Sequence, residues 1–241
     1  MNTRILKKKN CLITGATGGI GVEISKQLAT LSCNLFLTST NKTKLEKLKK
    51  NLRKINTSIT IETFPVNLDS EENVLELIKH VHKKFASINI LINCAGIFMI
   101  KTIEKSTIED FDKSINLNVK APFILSREFS KDMITKKWGR IMFVGSSSSY
   151  SGFENGSVYC ASKHSVLGLS RALNIELKKK NVRVLCISPS STKTDMGKIS
   201  VDQDFNTFLN PKEVAEYVIF VLSFDNEMSI DESRLNRMIM K

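Results

Sequence analysis

The feature that most constrains the fold is a glycine-rich segment close to the N-terminus. A short apolar run, Asn10–Thr14, predicts a strand, and the pattern over Ile20–Ser32 predicts a helix. Between them the chain reads Gly15-Ala16-Thr17-Gly18-Gly19-Ile20-Gly21. Glycines at such a junction permit a tight turn, let a phosphate approach the main chain, and let the helix pack closely on the strand. The segment therefore predicts a dinucleotide site with its pyrophosphate at the helix N-terminus.

The rest of the chain alternates short β-rich runs with longer helical patterns. The further predicted strands are Asn34–Thr38, Ser58–Val66, Ile88–Cys94, Gly139–Ser146, Val182–Ser188 and Arg234–Met240. The further predicted helices are Thr43–Ile55, Ser70–Phe85, Ile108–Lys136, Ser157–Lys180 and Pro211–Leu222. Buried strands that alternate with helices form a parallel sheet covered on both faces, and right-handed crossovers make that sheet doubly wound. We expect an α/β, single-domain Rossmann fold with seven parallel strands over residues 1–241.

Composition excludes several other classes of protein. The 241 residues are 41% hydrophobic, as in ordinary globular proteins, and no apolar run approaches the roughly 20 residues that span a bilayer. We expect no membrane segment, no secretory signal and a cytoplasmic location. The net charge of +12 comes from dispersed lysines without a nucleic-acid-binding motif, so we expect no nucleic-acid partner. The five cysteines form no CxxC pair, and His80 and His82 face different sides of a predicted helix, so we expect no metal site.

The residues after the second predicted strand bear on the choice of nucleotide. An acidic residue at this place would bind the ribose 2′-hydroxyl of NAD, but the chain reads Thr38-Ser39-Thr40-Asn41-Lys42. The hydroxyls, the amide and either Lys42 or Lys44 could receive a 2′-phosphate. We therefore expect NADP(H) to be favoured over NAD(H). No arginine stands here, so NAD remains the alternative.

A tyrosine and a lysine near the start of a predicted helix are candidate catalytic groups. Tyr159 and Lys163 are four residues apart and share one helix face. A cation beside a phenol favours the phenolate, which suits acid–base chemistry. Ser146 ends a predicted strand that runs toward the same edge of the sheet. By spacing alone, however, the pair is as consistent with a structural role.

Taken together, the motifs resemble the short-chain dehydrogenase/reductase family from about Lys8 to Met240. Thr14–Gly21 matches the family's TGxxxGIG loop, and Asn93-Cys94-Ala95-Gly96 matches its NNAG motif with cysteine in second place. Ser146, Tyr159 and Lys163 match the catalytic triad. Asn118 matches the fourth catalytic residue, and it is favoured over Asn116 by its spacing from Gly139.

The resemblance implies a role for each of these residues in hydride transfer between a nicotinamide and a ketone or secondary alcohol. Tyr159 would protonate the carbonyl oxygen, and Ser146 would hold that oxygen. Lys163 would bind the nicotinamide ribose and favour the phenolate, and Asn118 would hold a water for proton resupply. The implied cofactor contacts are Gly15, Thr17, Gly19, Ile20, Gly21, Ser39, Thr40, Asn41, Asn67, Leu68, Asn93, Ala95, Gly96, Tyr159, Lys163, Pro189, Thr192 and Thr194.

The resemblance leaves the substrate open. The core is most similar to 3-oxoacyl-[acyl-carrier-protein] reductases, and Lys137 and Lys180 match basic residues that dock the acidic carrier in those enzymes. The alternatives are another small carbonyl or alcohol substrate and, more remotely, a non-catalytic dinucleotide sensor. Asn67 replaces the family's aspartate, and Ser190 replaces the glycine after Pro189. The family also implies a short substrate lid around 196–210 and a homodimer or homotetramer.

Overall fold

The computed structural model describes residues 2–200 and 202–239. These form one parallel sheet of seven strands in the order β3-β2-β1-β4-β5-β6-β7, as the alternating pattern predicts. The strands are β1 (Asn10–Thr14), β2 (Asn34–Ser39), β3 (Ile61–Pro65), β4 (Ile90–Asn93), β5 (Gly139–Val144), β6 (Val182–Pro189) and β7 (Glu232–Leu235). The Rossmann-type α/β class is confirmed.

Helices cover both faces of the sheet. They are α1 (Gly19–Thr30), α2 (Lys42–Ile55), α3 (Glu71–Lys84), α4 (Ile108–Ile115), α5 (Ala121–Thr135), α6 (Ser157–Lys178) and α7 (Pro211–Leu222). Successive strand residues point to opposite faces, so Leu12 and Ile13 lie in two different apolar layers, and both are fully buried. No helix among the described residues is both long and apolar enough to cross a bilayer.

Two predicted elements differ from the observed ones. The last strand ends at Leu235 because β6 ends at its register partner Pro189, so no neighbouring strand remains to pair with later residues. Met240, the predicted end, lies outside the described residues. The single helix predicted over Ile108–Lys136 contains a π-helical segment, Asn116–Lys120, between α4 and α5.

The order of the strands places a crevice at the carboxyl edge of the sheet. The chain moves outward from β1 in one direction and returns to β4 on the other side, and such a switch point is where α/β sheets bind ligands. The Thr14 hydroxyl joins the two central strands, because its Oγ1 accepts hydrogen bonds from the backbone N–H groups of Cys94 (3.1 Å) and Ala95 (3.0 Å). This hydroxyl therefore fixes the turn after β4 against the end of β1.

Replacing Thr14 by valine is expected to destabilise the fold by about 1–3 kcal/mol, because the Ala95 N–H loses its acceptor and the Cys94 N–H keeps only the Ile92 carbonyl. Thr38 provides a matched control. It is the register partner of Thr14, it is fully buried, and its Oγ1 has no hydrogen-bond partner among the described residues. Thr38→Val should leave the free energy of unfolding in urea unchanged or slightly higher. Equal losses in both variants would contradict this role of Thr14.

Candidate active site

The turn after β1 requires glycine at its first position. Gly15 has a φ of +61°, and a Cβ added there would lie 2.8 Å from the backbone of Ala95. The turn is closed by a 3.0 Å bond from the Gly18 N–H to the Gly15 carbonyl. A Cβ on Gly19 would lie 2.5 Å from Cγ2 of Thr194. Glycine thus lets the turn after β1 pack closely against the segments of Ala95 and Thr194 around the start of α1.

The first turn of α1 has the character of an anion site. The helix begins at Gly19, its cap Gly18 makes no side-chain hydrogen bond, and its first turn carries no acidic residue. The initial N–H groups of a helix have no partner within the helix, and the helix dipole favours a negative charge there. Gly15, Gly18, Gly19 and Ile20 line the main cavity. This surface suits a pyrophosphate.

The predicted ribose side lies at the carboxyl end of β2. Thr17 donates a 2.9 Å hydrogen bond to the Ser39 hydroxyl. The side-chain oxygen of Asn41 caps α2 by accepting from the Lys44 N–H, and the amide nitrogen of Asn41 is left for a ligand. Thr40 is exposed, and no carboxylate stands between Thr38 and Lys44.

The predicted adenine side is formed by residues after β3 and β4. Leu68 is buried, and exposed Asn67 donates a 2.6 Å hydrogen bond to Asp69, the carboxylate two residues on. Asn93 is buried, and its Oδ1 has no hydrogen-bond partner among the described residues. An orphaned buried acceptor is costly, so Asn93 is suited to receive a hydroxyl from a ligand.

The tyrosine and lysine lie in the first two turns of α6, and both are buried. Lys163 Nζ donates a 2.9 Å hydrogen bond to the Val144 carbonyl at the end of β5 and lies 5.7 Å from the centre of the Tyr159 ring. Ser146 follows two residues after Val144, and its Oγ accepts from the Ser148 N–H at 3.1 Å. The hydroxyl proton of Ser146 is therefore available for another acceptor.

Asn118 lies in the π-helical segment and fastens a neighbouring loop. Its Oδ1 accepts from the Ile97 N–H at 2.8 Å, and its Nδ2 donates to the Ile97 carbonyl at 3.1 Å. The same Nδ2 lies 2.9 Å from Ser162 Oγ on α6. Asn118 thus joins the turn after β4 to the helix that carries Tyr159.

A cavity of about 780 Å³ brings together half of the predicted site residues. The predicted site residues that line it are Gly15, Gly19, Ile20, Gly96, Ser146, Tyr159, Lys163, Pro189, Thr192 and Thr194. The other predicted residues lie outside its lining: Thr17, Gly21, Ser39, Thr40, Asn41, Asn67, Leu68, Asn93, Ala95 and Asn118. Two of them support residues of the lining from behind: Gly21 packs against Gly15, and Asn118 bonds the backbone of Ile97.

The cavity also has an aromatic wall that the motifs do not indicate. The Phe98 ring packs edge-on against Tyr159, with 4.7 Å between ring centroids, and Phe153 lies 6.0 Å from Phe98 and 6.5 Å from Tyr159. The sequence signal for this wall is the position of Phe98, two residues after Gly96 of the NNAG-like motif. The wall makes the surroundings of the tyrosine apolar on one side.

Burial governs the chemistry of Cys94, which also lines the cavity. Burial raises the pKa of this thiol to about 11, against a smaller opposing effect of the Lys163 charge. The group is therefore a neutral thiol at physiological pH and a poor nucleophile.

Comparison with known proteins decides the family. The model of the family described as short chain dehydrogenase matches residues 9–204. The chain belongs to the short-chain dehydrogenase family. It is thus an oxidoreductase, and the resemblance drawn from the glycine loop and the triad is confirmed.

Two relatives align with nearly the whole chain. An uncharacterized oxidoreductase of Staphylococcus saprophyticus is 30% identical over 229 residues, with 94% of this chain and 96% of the relative covered. The 3-oxoacyl-[acyl-carrier-protein] reductase of Rickettsia conorii is 34% identical over 227 residues, with 90% of each chain covered.

Solved short-chain dehydrogenase structures share the fold. A metagenomic short-chain oxidoreductase in complex with NADP superposes with a TM-score of 0.84 at 23% identity, covering 97% of this chain and 99% of the other. An NAD+-bound xylitol dehydrogenase gives a TM-score of 0.84 at 25% identity, with 98% of each chain covered. Both kinds of nucleotide therefore occur among proteins of this shape.

The two lysines compared with carrier-docking residues lie away from the cavity. Asn181 Nδ2 donates a 2.8 Å hydrogen bond to the Lys137 carbonyl, so the turns that hold Lys137 and Lys180 are adjacent. Both turns precede β5 and β6, whereas the cavity follows the carboxyl ends of those strands. Strands of six and eight residues separate the two edges by roughly 20–26 Å. The lysines of one chain therefore do not border its own cavity.

Replacing Asn118 by alanine should loosen the turn after β4. We expect amide hydrogen exchange at Ile97 to accelerate about tenfold or more, because both side-chain bonds to its backbone are lost. Asn116→Ala, two residues earlier in the same π-helical segment, is the control and should leave this exchange rate unchanged. An unchanged rate in Asn118→Ala would contradict the fastening role.

Proposed function

We propose that the protein is an NADPH-dependent reductase of a ketone that acts by Ser-Tyr-Lys chemistry. The observation that carries the proposal is the convergence of Ser146, Tyr159 and Lys163 with the glycine turn on one cavity at the carboxyl edge of the sheet. Asn118 holds the loop that completes this wall. A sensor without catalysis would not need a buried tyrosine and a buried lysine at the same cavity.

The residues present fit a dinucleotide. The start of α1 offers unpaired N–H groups without an acidic neighbour, and Asn93 presents an orphaned buried acceptor. Lys163 keeps two N–H donors besides the one directed at Val144, and these suit the hydroxyls of the nicotinamide ribose. Pro189, Thr192 and Thr194 would border the nicotinamide.

The chain's own groups supply proton transfer and positioning. When bound, the nicotinamide supplies the hydride that the carbonyl carbon receives. The phenol of Tyr159 donates its proton to the carbonyl oxygen, which leaves an alcohol. Ser146 donates a hydrogen bond to the same oxygen and orients the carbonyl. Positioned proton transfer of this kind contributes about 10²–10⁴ in rate.

A 3-oxoacyl group carried as a thioester on acyl-carrier protein is the first substrate to test. The 34% identity to the Rickettsia conorii reductase supports it. A different ketone is the second candidate, because Phe98 and Phe153 form an apolar wall that suits a bulkier substituent. Because Lys137 lies at the opposite edge of the sheet, docking of a carrier there would serve the cavity of a second subunit. The homodimer or homotetramer, the short lid around 196–210 and the cytoplasmic location stay predictions.

The first test is NADPH oxidation with acetoacetyl-carrier protein and a panel of other ketones. We expect turnover that falls at least about 10³-fold in Tyr159→Phe, because the proton donor is removed. Tyr217→Phe is the control, since its hydroxyl bonds Ser233 away from the cavity. Turnover that survives in Tyr159→Phe would contradict the mechanism. If only the carrier thioester gives no turnover, the substrate is to be sought among the other ketones.

The nucleotide preference has a separate test. Lys42→Ala and Lys44→Ala should each raise KM for NADPH roughly three- to tenfold and leave KM for NADH unchanged, because each removes a cation from the 2′-phosphate side. Lys54→Ala, at the other end of α2, is the control. Equal effects on both nucleotides, or a wild-type preference for NADH, would overturn the NADP assignment.

A further inference from the structure

Two arginines after β6 line the cavity, and the proposed reduction does not use them. Arg234 lies in β7, and Arg237 follows three residues later. The sheet register pairs Arg234 with Ser188, next to Pro189 at the end of β6. Both arginines therefore border the part of the cavity next to the nicotinamide segment rather than the adenosine side.

Arg237 is held firmly while some of its donors stay unused. Its Nη1 donates a 3.0 Å hydrogen bond to Thr207 Oγ1, and its guanidinium carbon lies 5.1 Å above the Phe208 ring. Its Nε is buried without an acceptor among the described residues. A buried donor without a partner is costly, and a guanidinium donates in a fork that matches an oxyanion. The half-buried side chain is thus prepared for a ligand.

Arg234 lies beside Tyr150, a residue in the segment that follows Ser146. Its guanidinium carbon is 5.4 Å from the centre of the Tyr150 ring, and the side chain is exposed. No carboxylate of the described residues forms an ion pair with Arg234 or Arg237, whereas Arg171 beside them is paired with Glu232 at 2.8 Å. Within residues 2–200 and 202–239, the two guanidinium groups thus have no carboxylate in direct contact.

Carboxylates also line the cavity. Three of them line it: Glu154, Asp195 and Asp202. Asp195 is paired with Lys198 at 3.1 Å and Lys44 at 3.9 Å, which hold the pKa of its carboxyl below the usual value. The other two form no ion pair with the arginines among the described residues. The lining thus holds three cations, Lys163 and the two arginines, against three carboxylates, and its attraction for an anion is local to the two guanidinium groups.

We propose that Arg234 and Arg237 bind an oxyanion of the substrate, so that the ketone carries a carboxylate or phosphate group besides its reacting carbonyl. The inference rests on the proposed function. The oxyanion could come from two sources: the carboxylate of a free oxo acid, or the phosphate in the arm of a carrier-bound thioester. The apolar wall at Phe98 then contacts the carbon chain between the carbonyl and the anion.

The test uses two matched pairs of substrates that differ in the anion. One pair is 5-oxohexanoate and its methyl ester, and the other is S-acetoacetyl-4′-phosphopantetheine and the neutral S-acetoacetyl-pantetheine. KM and kcat are measured with NADPH for the parent chain, Arg234→Gln, Arg237→Gln and the double variant. Arg53→Gln, on the exposed face of α2, is the control for loss of a positive charge.

We expect one anionic compound to have a lower KM than its neutral partner. Each glutamine variant should raise that KM about tenfold and leave both kcat and the neutral compound nearly unchanged, because only the anion loses a charge-assisted bond. Arg234→Lys and Arg237→Lys should restore part of the loss, which separates charge from disturbed packing. The pair that responds identifies the source as carboxylate or phosphate.

Equal changes for the anionic and neutral members, or none, would overturn the proposal. Equilibrium binding of the same four compounds to the protein with NADP+, which cannot donate a hydride, is measured by calorimetry and keeps the test independent of turnover. Anion binding that depends on the arginines without Tyr159-dependent turnover would support the subsite and contradict the proposed function. Turnover with no preference for either anion, or no binding of either anionic compound, would refute the subsite.

Discussion

The close approach of two backbone turns, after β1 and after β4, is the constraint on which the site depends. Gly15 at a φ of +61° lies where any side chain would strike Ala95, and the Thr14 hydroxyl accepts two N–H groups from the same turn. This contact sets the position of the glycine turn and of the start of α1. It also positions Gly96 and Ile97, which Asn118 then fastens to α6. The start of α1 and Tyr159 are thereby held in one framework.

The side chains of the proposed catalytic residues are anchored to the main chain. Lys163 donates to the Val144 carbonyl, and Ser146 accepts from the backbone N–H of Ser148 in its own turn. The side-chain amide of Asn118 bonds both the N–H and the carbonyl of Ile97. Such anchors fix side chains before a ligand arrives, and positioning of this kind is a major part of what a protein contributes to a cofactor reaction. The aromatic wall and the two arginines would set the environment of a substrate, and they lie outside this framework.

Much of the framework could be predicted from the sequence, because the glycine turn, the apolar strands and the Tyr159/Lys163 spacing are local patterns. The predicted bounds of the last strand differ from the observed ones because its length depends on where β6 ends, and that is set by tertiary structure. The π-helical segment was missed for a similar reason: its contacts from Asn118 to Ile97 join residues 21 positions apart. Phe98, Phe153, Arg234 and Arg237 belong to no motif, and only the folded chain brings them to one cavity.

The most direct test of the central claim is the fate of the nicotinamide hydrogen. NADPH labelled with deuterium on either face of C4 would be supplied with acetoacetyl-carrier protein and 5-oxohexanoate, and the product alcohol analysed by mass spectrometry. We predict that one of the two labels appears on the carbinol carbon and that Tyr159→Phe forms almost no labelled alcohol. Alcohol without label from both nucleotides, or no oxidation of NADPH with any ketone, would contradict it.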